Sequence, residues 1–356
     1  MMTHEDTQFM KRALALARLG MGLVSPNPMV GALLVKEGRV LGVGYHRYDK
    51  LKHAESYAAE MAGSDSRGST LYCSLEPCCH HGRTPPCTDA LIAAGIARAV
   101  LAIKDPNPLV DGRGIEQLIA AGIEVEVGVC QEEAARLNEC YFKFITGGGP
   151  FVHGVIEYPI ESPSFAVEWT PSADFLDAAA EYDSLILGSR VDLNRLLIES
   201  RLKRERHRPF VLVGGADEAE NYRDLLGDES DERVSFVTLA TRPGLRVVDA
   251  QGASAGKSAP AASEPDLHAT LDALTRMGVI GTLVLSGIFD PAIPRNFESL
   301  DKLTLAIPEG PGANDATVST SRLAFGDLEF DLDEASVSEA GAYTEFTGYP
   351  HLREVA

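Results

Sequence analysis

The sequence predicts an α/β protein of two domains, in which helices cover β-sheets. Short apolar segments with strand character alternate along the chain with segments of helical periodicity. The run Thr146-Gly147-Gly148-Gly149-Pro150 interrupts this alternation and leaves no room for regular structure. With 356 residues, of which 45% are hydrophobic, the chain is long enough for two cores. We therefore place one domain at residues 1–146 and a second at residues 150–356.

The first domain is predicted to alternate between strands and helices throughout. Met1 to Gly20 mixes charged and apolar residues at helical spacing, which predicts an amphipathic helix rather than a signal peptide. Strands are predicted at residues 30–36, 40–45, 70–74, 99–103 and 124–127. Further helices are predicted at residues 53–61, 88–94, 114–121 and 132–144. This order favours a three-layer α/β domain.

The second domain repeats the alternation less regularly. Strands are predicted at residues 184–188, 209–213, 234–238, 282–285 and 302–307. Helices are predicted at residues 172–180, 218–226 and 267–277. The segment at residues 251–265 is rich in Ala, Ser, Gly and Pro, and this composition predicts a mobile loop inside the domain.

Charge and hydropathy exclude several classes of function. The formal net charge is −20, so the phosphates of a nucleic acid would be repelled. Residues 1–146 carry 15 basic against 17 acidic side chains, whereas the remainder carries 17 against 35. No apolar stretch approaches the length of a transmembrane span. We expect a cytoplasmic protein that binds neither nucleic acid nor a membrane.

The cysteines indicate a metal site. Three of the six, Cys78, Cys79 and Cys87, fall in one short segment, which is atypical of a disulfide framework. A catalytic zinc takes three nitrogen and sulfur ligands and leaves the fourth position to water, and His53, Cys78 and Cys87 supply that set. Glu55 would carry protons from the water to a departing amine. Since side chains two apart on a helix face different directions, His53 and Glu55 can share a site only near a helix start.

Simpler interpretations of these residues remain open. A His-x-Glu pair is common on solvated helix faces. Cysteines in this loop could also form a structural zinc site with His80 or His81, because the spacing Cys78-x-x-His81 is acceptable for ligands. A structural site would have no use for Glu55, so the sequence favours a catalytic zinc.

Several motifs then follow in an order that resembles a known family. They are Ser25-Pro26-Asn27-Pro28-Met29-Val30-Gly31, Gly44-Tyr45-His46, His53-Ala54-Glu55, the Cys78-to-Cys87 segment and Lys104-Asp105-Pro106-Asn107-Pro108. Over residues 5 to about 146 the chain resembles the bifunctional riboflavin-biosynthesis proteins, in which a pyrimidine deaminase is fused to a reductase. The long spacing between the two cysteines is specific, since cytidine and tRNA adenosine deaminases have a shorter one.

The resemblance implies a cytidine-deaminase-like fold and a particular reaction. It makes His53, Cys78 and Cys87 the zinc ligands and Glu55 the proton carrier. The implied reaction is the hydrolytic deamination of 2,5-diamino-6-(5-phosphoribosylamino)pyrimidin-4(3H)-one, with release of ammonia. Cys79 stands where the family often has Ser, and residues 49–52 lack a glycine that members usually show. Neither departure removes a group that the reaction needs.

The resemblance also implies substrate contacts from Asn27, His46, Arg83, Asp105 and Asn107. These side chains offer donors and acceptors for a pyrimidine edge and a cation for a carbonyl or phosphate oxygen. Ordinary turn chemistry is the alternative for three of them. Asn27 and Asn107 each precede a proline, and Asp105 could cap a loop.

The second domain of the bifunctional family is a dihydrofolate-reductase-like, NADPH-dependent reductase, and only its framework is recognisable here, at residues 182–189 and 301–303. The strand at residues 151–155 lacks the usual Lys, and residues 158–163 and 286–289 replace the turn and phosphate loop. The acidity of this half also disfavours NADPH. We therefore expect a divergent, non-catalytic reductase-like domain that binds no NADPH and serves packing or homo-oligomerisation.

Four functional hypotheses follow. The favoured one is a monofunctional deaminase of riboflavin biosynthesis acting on a small pyrimidine nucleotide. The alternatives are a deaminase of the same type in a specialised pathway of pyrimidine-derived metabolites, a bifunctional deaminase and reductase, and a non-enzymatic zinc scaffold. The scaffold hypothesis predicts that Glu55→Gln changes nothing, whereas the others predict loss of deamination with zinc retained.

Overall fold

The chain folds into two compact units, Met1–Gly148 and Gly149–Ala356, each with a sheet of its own. The predicted α/β class is confirmed for both. The computed structural model describes residues 3–50, 52–82, 84–157, 170–179, 181–187, 191–202, 208–214, 222, 234–238, 246–247, 267–285, 299–308, 323–325, 328–340 and 343–352.

Except at residues 132–144, the first unit contains the strands and helices that the sequence predicts, with ends shifted by at most three residues. Its strands are β1 (Gly31–Lys36), β2 (Arg39–Tyr45), β3 (Thr70–Cys73), β4 (Arg98–Leu101) and β5 (Glu124–Val127). Its helices are α1 (His4–Arg18), α2 (Ala54–Ala62), α3 (Cys87–Ala94), α4 (Arg113–Ala120), α5 (Gln131–Leu137) and α6 (Glu139–Gly147), with a 3₁₀ turn at Gly63–Ser66.

The prediction of a single helix at residues 132–144 is wrong. The segment forms two helices, α5 and α6, that meet at Asn138, whose backbone leaves the helical region at φ −116° and ψ 22°. Asparagine is a poor residue for a helix interior because its side chain competes for backbone hydrogen bonds. Here that side chain is bound to a distant part of the chain, which the local sequence does not show.

The first sheet has the strand order β2-β1-β3-β4-β5 and is covered on both faces. β1 runs antiparallel to β2 and β3, whereas β3, β4 and β5 are parallel. Successive strand residues point to opposite faces: Leu33 and Val35 pack with α1 residues, while Ala32 and Leu34 pack with α2 residues. Sheets buried on both faces carry such nearly continuous apolar strands, and the result is the predicted three-layer domain.

Helix α2 lies flush against strand β2, and this contact fixes the helix that follows His53. A Cβ atom on Gly44 would stand 2.1 Å from the carbonyl oxygen of Ala54, and one on Gly42 would stand 2.1 Å from that of Ala58. Since no larger residue fits, the two glycines let the helix backbone approach the strand directly. The start of α2 is thereby held at a fixed height above the sheet.

Asp6 is the centre of a buried ionic network that ties α1 to the sheet. It closes a capping box with Thr3, accepts a hydrogen bond from the Tyr72 hydroxyl at 2.9 Å and pairs with Arg98 at 2.7 Å. The Asp6 side chain is 2% exposed. Although burial alone would raise it, the hydrogen bonds from Arg98, Thr3 and Tyr72 hold the pKa of Asp6 well below its ordinary value.

Asp6→Asn is therefore expected to lower the free energy of unfolding at pH 7 by about 2 kcal/mol, because Arg98 loses its buried partner. A carboxylate whose folded pKa is depressed stabilises the fold above its unfolded pKa of about 4 and less so below it. The difference between the variant and the parent should thus shrink as the pH falls below about 4. Urea unfolding at several pH values measures it. Asp65→Asn, at an exposed acidic residue, is the matched control, and equal losses in both variants would contradict the prediction.

The second unit is built on a sheet of ten strands, in the order β10-β9-β8-β7-β11-β6-β12-β15-β14-β13. The strands are β6 (Phe151–Glu157), β7 (Ser184–Ile186), β8 (Phe210–Gly214), β9 (Val234–Thr238), β10 (Arg246–Val247), β11 (Gly281–Leu285), β12 (Lys302–Pro308), β13 (Leu323–Phe325), β14 (Leu328–Ala340) and β15 (Tyr343–Leu352). The described helices are α7 (Ala173–Ala179), α8 (Val191–Leu202) and α9 (Leu267–Arg276). From β9 to β12 neighbouring strands are parallel.

Several elements predicted for this unit are present, and other predictions fall outside the described residues. The predicted strands and two of the helices are present, whereas α8 and the antiparallel strands β13 to β15 were not predicted. Apart from residue 222, the predicted helix at residues 218–226 lies outside the described residues, as do the predicted loop at 251–265 and the segments 158–163 and 286–289. Among the helices of the described ranges, none is both long and apolar enough to cross a bilayer.

Candidate active site

The predicted site residues come from four loops that meet at one edge of the first sheet. The register places Gly31 opposite Tyr45, Ala32 opposite Cys73 and Cys73 opposite Leu101. The start of β1 and the ends of β2, β3 and β4 therefore share an edge. Ligands of open α/β sheets commonly bind outside the carboxyl ends of the parallel strands. The loops at this edge carry Asn27, His46, Cys78, Asp105 and Asn107.

His53, Cys78 and Cys87 lie together beside this edge. The Nδ1 atom of His53 is 3.5 Å from Cys78 Sγ and 3.3 Å from Cys87 Sγ. The potential ligand atoms of the three residues all lie within 4.8 Å of one another. His53 is the residue before α2, and Cys87 is the first residue of α3. The backbone amide of Cys87 donates a hydrogen bond to Cys78 Sγ at 3.3 Å.

The three side chains fit a zinc ion. Tetrahedral bonds of about 2.05 Å to nitrogen and 2.3 Å to sulfur place the two ligand atoms about 3.5 Å apart, which agrees with the distances from His53 to both thiols. The neighbouring Cys87 thiol, with help from His53 and the Cys87 amide, lowers the pKa of Cys78 to about 4. A thiolate is the form that binds metal.

Glu55 is the second residue of α2, and His53 precedes the helix, so both side chains can reach one site at the helix start, as predicted. The residue is 3% exposed, and its Oε2 atom has no hydrogen-bond partner within the described part of the chain. Burial raises the pKa of Glu55 to about 7. A buried carboxyl oxygen without a hydrogen bond is costly to a fold, and a pKa near neutrality suits a group that takes up and gives back a proton.

Asn27 and His46 lie next to His53, one of the candidate metal ligands. The Asn27 amide nitrogen is 3.2 Å from His46 Nε2, and the His46 ring stands edge-on to the His53 ring at 4.9 Å between centroids. The structure therefore brings both predicted substrate contacts close to the candidate metal ligands.

Asp105 and Asn107 lie in the loop after β4 and are engaged within it. Asp105 Oδ1 accepts a hydrogen bond from the backbone amide of Asn107 at 2.9 Å. In turn, Asn107 Oδ1 accepts one from the backbone amide of Leu109 at 3.0 Å. These are the turn contacts of the alternative interpretation. Burial raises the pKa of Asp105 to about 6, against hydrogen bonds from the Asn107 backbone and the Tyr141 hydroxyl.

Glu76, for which the sequence indicated no role, organises this edge. Its two carboxylate oxygens accept four backbone hydrogen bonds, from Asp105, Gly112, Gly114 and Ile115, at 2.9 to 3.2 Å. The Glu76 carboxylate thus joins the Cys78 loop to the loop after β4 and to the start of α4. A glutamate two residues before a cysteine gives no sign of this, because all four partners are at least 29 residues away.

Two remaining predictions concern the loop between the cysteines. Arg83 lies outside the described residues. His81 is exposed and, like His80, does not belong to the group of potential metal ligands found among the described residues. The three-residue group with His53 thus leaves the alternative Cys78-x-x-His81 site without geometric support.

Comparison with known proteins agrees with this geometry. Residues 3–103 match the zinc-binding region of cytidine and deoxycytidylate deaminases. The chain is 54% identical over 147 residues to riboflavin biosynthesis protein RibD of Aquifex aeolicus, covering 41% of each protein. It is 33% identical over 288 residues to the chloroplastic riboflavin biosynthesis protein PYRD of Zea mays, covering 79% of this chain and 70% of the maize protein. The match to the bacterial protein spans only about two fifths of that relative.

Solved structures resemble the whole chain. A deaminase/reductase from Thermotoga maritima, named for diaminohydroxyphosphoribosylaminopyrimidine and 5-amino-6-(5-phosphoribosylamino)uracil, is 28% identical, with a TM-score of 0.71 over 98% of this chain and 99% of its own. Acinetobacter baumannii RibD is 26% identical, with a TM-score of 0.67 over the same shares. Fold and site define the first unit as a cytidine-deaminase-like domain with a zinc-binding region. The chain as a whole belongs to the family of riboflavin biosynthesis proteins RibD and PYRD.

Proposed function

We propose that the unit Met1–Gly148 is a zinc-dependent deaminase. It converts 2,5-diamino-6-(5-phosphoribosylamino)pyrimidin-4(3H)-one to 5-amino-6-(5-phosphoribosylamino)uracil in riboflavin biosynthesis. The observation that carries the proposal is the convergence of His53, Cys78 and Cys87 beside the buried carboxyl of Glu55. Family membership supplies the substrate, and the site supplies the chemistry.

Each group at the site has a task in this reaction. His53, Cys78 and Cys87 would hold the zinc, which when bound supplies the Lewis acidity that makes water a nucleophile near neutral pH. Glu55 takes a proton from the attacking water and delivers it to the departing amino group. Its buried position shields the proton from bulk solvent.

Substrate binding is proposed for the predicted residues along the same edge. Asn27 and His46 offer hydrogen-bonding atoms next to the metal ligands, and Asp105 and Asn107 offer them from the neighbouring loop. Arg83 is proposed to bind a carbonyl or phosphate oxygen on the strength of the family resemblance.

We further propose that the second unit does not reduce the product and binds no NADPH. The basic residue in β6 is His153, which is 1% exposed and lies between the Tyr182 hydroxyl and Thr304 Oγ1, each at 2.8 Å. Burial holds the pKa of His153 well below its ordinary value, so it presents no charge to a phosphorylated ligand. The net charge of −18 on the residues after 146 supports the same proposal.

The remaining proposals concern partners and surroundings. The second unit would serve packing in a homo-oligomer, and the partner of the first unit would be a small nucleotide rather than a nucleic acid, given the net charge of −20. Three of the six cysteines lie in one short segment and two of these are metal-binding candidates, which favours a reducing compartment over a disulfide framework.

The test is ammonia release from the freshly prepared diaminopyrimidinone ribosyl phosphate, with and without NADPH. We expect deamination that stops at the aminouracil and is unchanged by NADPH. Onward reduction to the ribitylamino product would overturn the proposal for the second unit. Absence of ammonia from the zinc-loaded protein would overturn the substrate assignment and favour another amino-heterocycle.

A further inference from the structure

Asn138, at the break between α5 and α6, is bound to the loop that carries Asn27. Its Oδ1 atom accepts a hydrogen bond from the Met29 amide at 2.8 Å, and its Nδ2 atom donates one to the Met29 carbonyl at 3.0 Å. Asn138 is 3% exposed, so both polar atoms of the side chain are committed to this contact. The side chain forms no cap on α6, although it stands at the capping position.

Tyr141, three residues further on, is bound to the other substrate-side loop. Its hydroxyl donates a hydrogen bond to Asp105 Oδ1 at 3.2 Å and lies 3.5 Å from the side-chain nitrogen of Asn107, Nδ2. Tyr141 is 6% exposed. Its ring is therefore fixed by packing, and the hydroxyl can hold Asp105 in one orientation.

One short element thus reaches two loops that are far apart in sequence. Residues three apart at a helix start lie on neighbouring positions of one face. The start of α6 therefore contacts the Met29 backbone and the Asp105 carboxylate from one side. Those two loops carry three of the five predicted substrate contacts, Asn27, Asp105 and Asn107. A fourth, His46, lies in another loop and contacts the Asn27 side chain. The zinc-binding residues have no direct hydrogen bond to Asn138 or Tyr141 among the described contacts.

We propose that Asn138 and Tyr141 are positioning residues for the substrate, acting together as a clamp that fixes the Asn27 loop against the Asp105–Asn107 loop. This inference rests on the proposed deaminase function. The clamp sets how well the pyrimidine is held, while the metal-binding residues and Glu55 set whether the reaction proceeds. Loosening the clamp should therefore raise KM more than it lowers kcat.

Tyr141→Phe is the primary variant because it removes one hydroxyl and keeps the ring. We expect KM to rise about tenfold, the effect of one lost hydrogen bond worth about 1.4 kcal/mol. The change in kcat should be smaller, and one zinc ion should stay bound per chain. Asn138→Ala removes two hydrogen bonds, and we expect a KM increase greater than tenfold.

The chain offers a matched control in Tyr72→Phe. Tyr72 is also a buried tyrosine whose hydroxyl donates to a carboxylate, Asp6, at 2.9 Å, but it packs with α1, on the face of the first sheet opposite to α2 and Glu55. The control should lose stability and keep its KM. Equal KM values in Tyr141→Phe and the parent, or equal KM increases in both tyrosine variants, would overturn the proposal.

Hydrogen exchange keeps this inference separable from the proposed function. In Tyr141→Phe and Asn138→Ala, the backbone amides of Met29 and Asn107 should exchange faster than in the parent, with no such change in Tyr72→Phe. If the parent itself releases no ammonia, the substrate assignment fails, and exchange alone decides the clamp. Unchanged exchange at both loops would overturn it.

Discussion

Glu55→Gln is expected to reduce kcat for deamination by about 10³-fold or more, within the range lost when a positioned acid–base group is removed. The substitution keeps the volume of the side chain and abolishes its titration. The variant should bind one zinc ion per chain as the parent does, since His53, Cys78 and Cys87 are untouched. Steady-state ammonia release and zinc content measure the two properties.

The same substitution should leave the protein at least as stable as the parent. Glu55 is buried, and its Oε2 atom has no hydrogen-bond partner in the described ranges, so the parent bears a desolvation cost that a neutral amide reduces. Loss of function without loss of stability is typical of a residue kept for chemistry. Thermal unfolding of both proteins tests this.

Glu60→Gln, on the same helix, is the control. Glu60 is exposed and pairs with Lys52 at 2.6 Å, an ion pair of little energetic weight at the surface. This variant should keep full activity. If Glu55→Gln also kept full activity, the proton carrier would have to be another group. If neither the parent nor the variants deaminated any amino-heterocycle, a zinc scaffold would be favoured.

The sequence predicts those parts of the molecule whose causes are local. Strands β1, β3 and β4 are visible because they bury both faces and are therefore almost continuously apolar, as in Ala32 to Val35. The candidate metal ligands are visible because zinc restricts the choice of residue type so strongly. The spacing of His53 and Glu55 even predicts the helix start between them.

Contacts between distant segments could not be predicted in the same way. Asn138 ends a helix whose pattern continues through it, and its partner Met29 is 109 residues away. Strand β14 begins with Leu328, Phe330 and Leu332 in alternation with acidic residues, a pattern that predicts a strand. Its partners cannot be predicted locally: β15 pairs with it, and β15 pairs in turn with the buried strand β12.

Cys87→Ser is expected to abolish zinc retention and, with it, deamination. Zinc held by three protein ligands loses a soft thiolate and the favourable geometry when one sulfur becomes a hydroxyl. After dialysis against a chelator, the variant should contain less than a tenth of the zinc of the parent. Its unfolding temperature should no longer rise when zinc is added, because a bound ion stabilises only a protein that retains it.

Two neighbouring residues make this test specific for the His53–Cys78–Cys87 site. Cys79 also lies in the loop, but its Sγ atom is directed to the Leu109 carbonyl at 3.7 Å, and His81 is exposed. Cys79→Ser and His81→Ala should therefore keep both zinc and activity. Loss of zinc in His81→Ala with retention in His53→Ala would instead identify a structural Cys78-x-x-His81 site. In that case zinc would not be bound beside Glu55. A low kcat of Glu55→Gln could then not be explained by proton transfer from a zinc-bound water.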